Sequence, residues 1–126
     1  MSIAQIKGLF LLAAAYDGIL AVIAVLFARP LFQWFGVEAP NHYGYVQFPA
    51  LLLLVFAAMF LRISQDPVRF AELIPFGVGL KAAYCAVVFW NQMTGSVPSM
   101  WVPWAWVDLA FLALFLVARR SLKTAR

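Results

Sequence analysis

Four apolar runs, each close to the length of a bilayer-crossing helix, constrain this chain more than any other feature. They cover about residues 6–28, 45–62, 73–90 and 101–118. A hydrocarbon core about 30 Å thick takes roughly 20 apolar residues in α-helix. Only helices or closed barrels satisfy their own backbone polar groups in lipid. The expected fold is therefore an all-α membrane bundle of four transmembrane helices, forming one domain over residues 1–126. Composition supports this, since hydrophobic residues make up 66% of the chain and charged residues 11%. A soluble domain is about half apolar and a quarter charged. So short a chain cannot hide that excess from water.

The breaks between runs have local causes. Arg29-Pro30 is expected to end the first helix, because the residue before proline resists the α conformation. Asp66-Pro67 closes the second, with Asp66 able to cap the turn that follows. Thr94 to Pro98 is a turn cluster. Pro75 and Pro103 fit the first turns of the third and fourth helices. Pro30 to Gly36 reads as a short interfacial helix ended by glycine, in the first outer loop. A cleaved signal peptide is not expected, because Asp17 interrupts the first run and no small-residue cleavage site follows.

Charge distribution gives an orientation. Lys7, Arg62, Arg69, Arg119, Arg120, Lys123 and Arg126 fall on one side of a four-span topology, and only Arg29 on the other. The positive-inside rule then places both termini in the cytoplasm, in a cell's inner membrane. The net charge of +4 is no sign of nucleic-acid binding, because it gathers in a basic tail after an apolar helix. Trp34, Trp90, Trp101, Trp104 and Trp106 all fall toward the outer side, as an interfacial girdle or, with Phe32, Phe35, Tyr43 and Tyr45, as the lining of an outer vestibule.

Asp17, Lys81 and Asp108 are the candidate site. Each lies roughly 13–16 Å from the cytoplasmic end of its helix, at about 1.5 Å per residue. A charge facing lipid at that depth costs at least ~2.5–3.5 kcal/mol. The three are therefore expected to face one another, with Lys81 between the acids. Two acids against one base leave a surplus negative charge, which burial opposes, so one carboxyl is expected to carry a proton. Small residues Ala13, Ala14, Gly18, Ala21 and Ala24 beside Asp17 permit close helix approach. Gly77, Tyr84 and Cys85 share the face of Lys81, and Trp101, Trp104, Ala105, Leu112 and Phe115 that of Asp108. The second helix has no charge in its apolar run, only Gln47 near the outer end, and is expected to be the most lipid-exposed. Glu38, His42 and Gln47 are positioned to top an aromatic cavity.

Chemistry beyond this is sparse. Cys85 has no partner for a disulfide or a zinc site. A lone histidine, His42, is a poor metal site, and neither a metal nor a cofactor is expected. No phosphate-binding loop, nucleophile elbow or zinc-protease motif occurs.

With its size, four spans, Phe35-Gly36 in the first outer loop and the Asp66-Pro67 break, the chain resembles small bacterial membrane proteins of the four-helix DoxX-like kind. That resemblance implies an accessory subunit of a membrane oxidoreductase and supplies no catalytic residue. Small multidrug transporters are similar in length and in an acid in helix one, here Asp17, but lack this charge bias and carry an aromatic signature in helix three that is missing here. Sterol isomerases of the emopamil-binding type are similar in architecture alone. The expected role is a non-enzymatic membrane protein: an accessory or assembly subunit within a larger complex or homo-oligomer, or a binder of a hydrophobic small molecule. Two alternatives stay open: a proton-coupled transporter protomer, and a membrane enzyme acting on a lipid-like substrate.

Overall fold

A computed structural model describes residues 1–124. Among them are five α-helices and no strand: α1 Ile3–Leu26, α2 Ala28–Trp34, α3 Gly44–Gln65, α4 Ile74–Thr94 and α5 Val102–Thr124. Single 3-10 turns, Ala71–Leu73 and Ser99–Trp101, lead into α4 and α5. Four of these helices, all but α2, are long and apolar enough to cross a membrane. This is the architecture of a multi-pass membrane protein. Arg126, counted in the basic tail, lies outside the described residues.

Helix ends depart from the apolar runs for identifiable reasons. α1 starts three residues early because Ser2 and Gln5 form a capping box: the Ser2 hydroxyl accepts the Gln5 N–H at 3.1 Å and the Gln5 side chain accepts the Ser2 N–H at 2.8 Å. α1 stops at Leu26 rather than at Arg29-Pro30. The break falls on Phe27 (φ −126°, ψ 31°), and Arg29 and Pro30 lie in the first turn of α2. Proline there removes only an N–H that has no helical partner anyway. At the far end of α2, Gly36 takes φ +64°, the Gly36 N–H reaches Gln33 and the Val37 N–H reaches Phe32. This left-handed glycine cap is the one expected from the sequence. Asp66 caps a turn, not a long helix: its Oδ1 accepts the Arg69 N–H at 3.1 Å, and α4 begins only at Ile74. α5 runs through the basic segment to Thr124, since apolar length marks the bilayer crossing and not the helix end.

The bundle is built from two hairpins. α1 packs chiefly on α3, and α4 chiefly on α5. The first contact is close because its residues are small: a Cβ on Gly18 would lie 3.7 Å from that of Ala57. The hairpins meet through large rings instead. Phe10 stacks on Phe115 at 4.6 Å between centroids, and Phe60 lies 5.2 Å from Phe115 and 6.0 Å from Phe10. Gly77 makes room for them.

The second span is not singled out for lipid exposure, contrary to expectation. The first and second spans each bury 22% of their apolar stretch and the third and fourth 28%. An uncharged helix is still covered when small residues bring its neighbour close.

The N-terminal amine donates to Ser121 Oγ at 3.3 Å, and Arg119 pairs with Glu72 at 2.9 Å. Both ends of the described chain and the 66–73 connection therefore share one end of the bundle. Glu72 is 71% exposed, so the pair contributes little. Glu72→Gln is expected to shift stability by less than about 1 kcal/mol, read as a change in Tm of the detergent-solubilised protein.

Candidate functional site

Asp17, Lys81 and Asp108 come together in the bundle core, on α1, α4 and α5. Lys81 is 0% exposed and Asp17 2%. The Lys81 ammonium donates to both carboxylate oxygens of Asp17 at 2.8 Å and to Asp108 Oδ1 at 2.9 Å. An ammonium has three hydrogens, and these three bonds use them all. Aromatic rings fill the remaining directions. The centroids of Phe111, Tyr16 and Phe60 lie 5.2, 5.6 and 5.8 Å from Nζ, within cation–π range. Lys81 thus spans the two hairpins, from α4 to an acid on α1 and an acid on its own partner helix.

The arrangement limits the chemistry available. A lysine with every N–H committed to carboxylates is neither a free base nor a nucleophile. Asp17 is closed off by the same bonds. Asp108 is the open member: its side chain is 11% exposed, and among the described residues only Lys81 donates to it. The Tyr16 hydroxyl, whose ring packs on Phe111 at 5.5 Å and on Trp104 at 6.3 Å, is buried with no hydrogen-bond partner among the described residues.

Other expected residues are placed differently. Tyr84 is near the core, and its hydroxyl donates to the Trp101 carbonyl at 2.9 Å. Cys85 donates to the Ala105 carbonyl at 3.3 Å, so the two tie α4 to the 3-10 turn before α5 and to α5 itself. Tyr84→Phe is expected to cost roughly 0.6–1.7 kcal/mol, the span for hydrogen bonds between membrane helices, measured by thermal or denaturant unfolding in detergent.

The tryptophans divide. Trp34, Trp90 and Trp106 are exposed, as a girdle requires. Trp101 and Trp104 turn inward. Trp101 and Tyr43 each meet Phe32 edge-on at 6.0 Å, which pins α2 against the bundle. These rings pack on one another. Phe35 and Tyr45 are exposed and do not join them.

Glu38, His42 and Gln47 do not top an aromatic cavity. Glu38 is exposed, with no hydrogen bond or ion pair among the described residues. His42 Nδ1 accepts the Gly44 N–H at 2.9 Å. Gln47 donates to the Val25 carbonyl at 3.5 Å. His42 and Gln47 do line an open recess of about 620 Å³ with Arg29 and Asn41, and of the aromatics expected there Tyr43 alone lines it. None of Asp17, Lys81, Asp108, Trp101 or Trp104 reaches it. No group of three or more metal-ligating side chains occurs among the described residues.

Sequence reading missed the three rings around Lys81. Phe111 was within reach of it, being three residues after Asp108 and so on the same helix face. Tyr16 and Phe60 carry no such signal, since aromatics in an apolar run face lipid as readily as core. No family model, no curated protein and no solved structure matches the chain.

Proposed function

We infer that this is a structural or accessory subunit of a membrane assembly, and that its intramembrane charge triad is a packing pin and not a reaction centre. The observation that carries this reading is the saturation of Lys81: three hydrogens, three carboxylate bonds, and rings on the remaining sides. A proton carrier or catalytic base needs a group that can release its partner and reach a substrate. A pin needs only what Lys81 has, a fixed geometry joining two otherwise loosely joined hairpins. The bias of basic residues to one end supports cytoplasmic termini in an inner membrane, with α2 lying in the outer interface. The resemblance to DoxX-like proteins supports the same role, beside a membrane oxidoreductase.

The test replaces the triad with apolar groups of similar size: Asp17→Leu, Lys81→Met and Asp108→Leu in one chain. A pin of this kind is dispensable when nothing charged remains. The expected result is a folded protein that crosslinks in the native membrane to the same partners as the wild type. Proton flux in proteoliposomes that Asp108→Asn abolishes while the protein stays folded overturns the reading in favour of transport.

A further inference from the structure

The open recess beside the end of α1 is lined by two kinds of group that ask for different things. Its acceptors come from the helix end. In an unbroken helix the Leu26 carbonyl would accept from residue 30, but that residue is Pro30 and has no N–H. The Val25 carbonyl takes only the long bond from Gln47. Both residues line the recess, at the negative end of the α1 dipole.

Its donors come from Arg29 and His42. Arg29 is the only Lys or Arg that the sequence places at this end of the bundle. No carboxylate among the described residues lies within 4.0 Å of its guanidinium, which rests over the Tyr43 ring at 5.1 Å. Because His42 Nδ1 accepts the Gly44 N–H, the imidazole proton is on the other ring nitrogen and can be donated.

An occupant must therefore bring an anion for Arg29 and an N–H or O–H for the α1 carbonyls. A simple carboxylate or a choline phosphodiester offers the first without the second. We propose that the recess binds a phosphodiester that carries its own hydrogen-bond donor, such as the ethanolamine or glycerol head group of a phospholipid. The open recess, of about 620 Å³, has room for such a head group. The position matches too, one turn beyond the apolar part of α1, where head groups lie. The proposal is independent of the subunit reading, whose test reads protein partners and not lipids.

Native mass spectrometry of the detergent-purified protein, with dioleoyl phosphatidylethanolamine, phosphatidylglycerol or phosphatidylcholine added, tests it. One ethanolamine or glycerol lipid should be retained per chain, about tenfold more tightly than the choline lipid, as expected for one charge-assisted bond. Arg29→Gln should weaken retention of all three lipids about equally, since each brings the phosphate that Arg29 holds, and Arg29→Lys should keep part of it, since lysine keeps the charge and loses the planar fork. Arg120→Gln, at the other end of the bundle, should leave it unchanged. Arg29 is exposed and makes only the ring contact, so an unchanged Tm separates lost binding from lost fold. Glycerophosphoethanolamine distinguishes the two sources of this chemistry: protection by it as strong as by the lipid makes the ligand a soluble phosphodiester. Equal retention of all three lipids, or retention that Arg29→Gln leaves unchanged, overturns the proposal.

Discussion

Lys81→Met is expected to destabilise the protein more than any other single substitution, by about 3–5 kcal/mol. The side chain that replaces lysine is of similar length and fills the same space. What is lost is the counter-charge of two carboxylates in the bundle core, one of them 2% exposed. Each must then take up a proton or pull the helices apart to reach water. The rings of Tyr16, Phe60 and Phe111 make this worse, because they present negative faces toward the vacated position. Denaturant titration in detergent measures the loss. Adding Asp17→Leu and Asp108→Leu on the Lys81→Met background should recover most of it, since no unpaired charge remains. A triple variant no more stable than Lys81→Met alone counts against the pin.

The second large effect belongs to Phe60, and here the bilayer changes the arithmetic. In a soluble protein Phe→Ala loses both transfer energy and packing. Between membrane helices the separated state is already in hydrocarbon, so only the cavity and the lost contacts count. Phe60→Ala is therefore expected to cost about 2–3 kcal/mol, below the soluble range. Gly77→Ala alone should also destabilise, by about 1–3 kcal/mol, because its methyl would sit 2.6 Å from Phe60 Cε1, with Phe115 Cε2 at 3.4 Å blocking retreat. Combined, the two should cost less than their sum, since the alanine at 77 fills part of the hole left by the ring. Additive losses in a double-mutant cycle are the result that rejects this account of the inter-hairpin contact.

The parts of this structure legible in the sequence are those where a mistake is expensive in lipid. Apolar length gave the four spans. The cost of a charge in hydrocarbon gave the meeting of Asp17, Lys81 and Asp108, although 64 residues separate the first pair. What stayed hidden is whatever lipid tolerates. Tyr16 and Phe60 could have faced either way at similar cost, so nothing in their spacing announced them. The first apolar run extends two residues past the helix end at Leu26, because apolar character continues through a break that the backbone makes at Phe27, ahead of Pro30, which has no N–H to donate. Of Glu38, His42 and Gln47, placed by the sequence above an aromatic cavity, His42 and Gln47 share a recess with Tyr43 and Glu38 does not line it, because an exposed loop side chain has no cost in lipid to fix its place.

The distance along the chain between Asp17 and Lys81 carries a consequence for biogenesis. At 5–20 residues per second, a ribosome needs about 3–13 s to advance from one to the other. During that interval α1 and α3 are made and the acid of α1 has no cation to meet. The nascent first hairpin must therefore wait in the translocation machinery, or hold Asp17 neutral, until the third span arrives. Pairing of Asp17 is thus a late event in the synthesis of this protein, and a chain truncated before residue 81 is expected to accumulate less than the same fragment carrying Asp17→Leu.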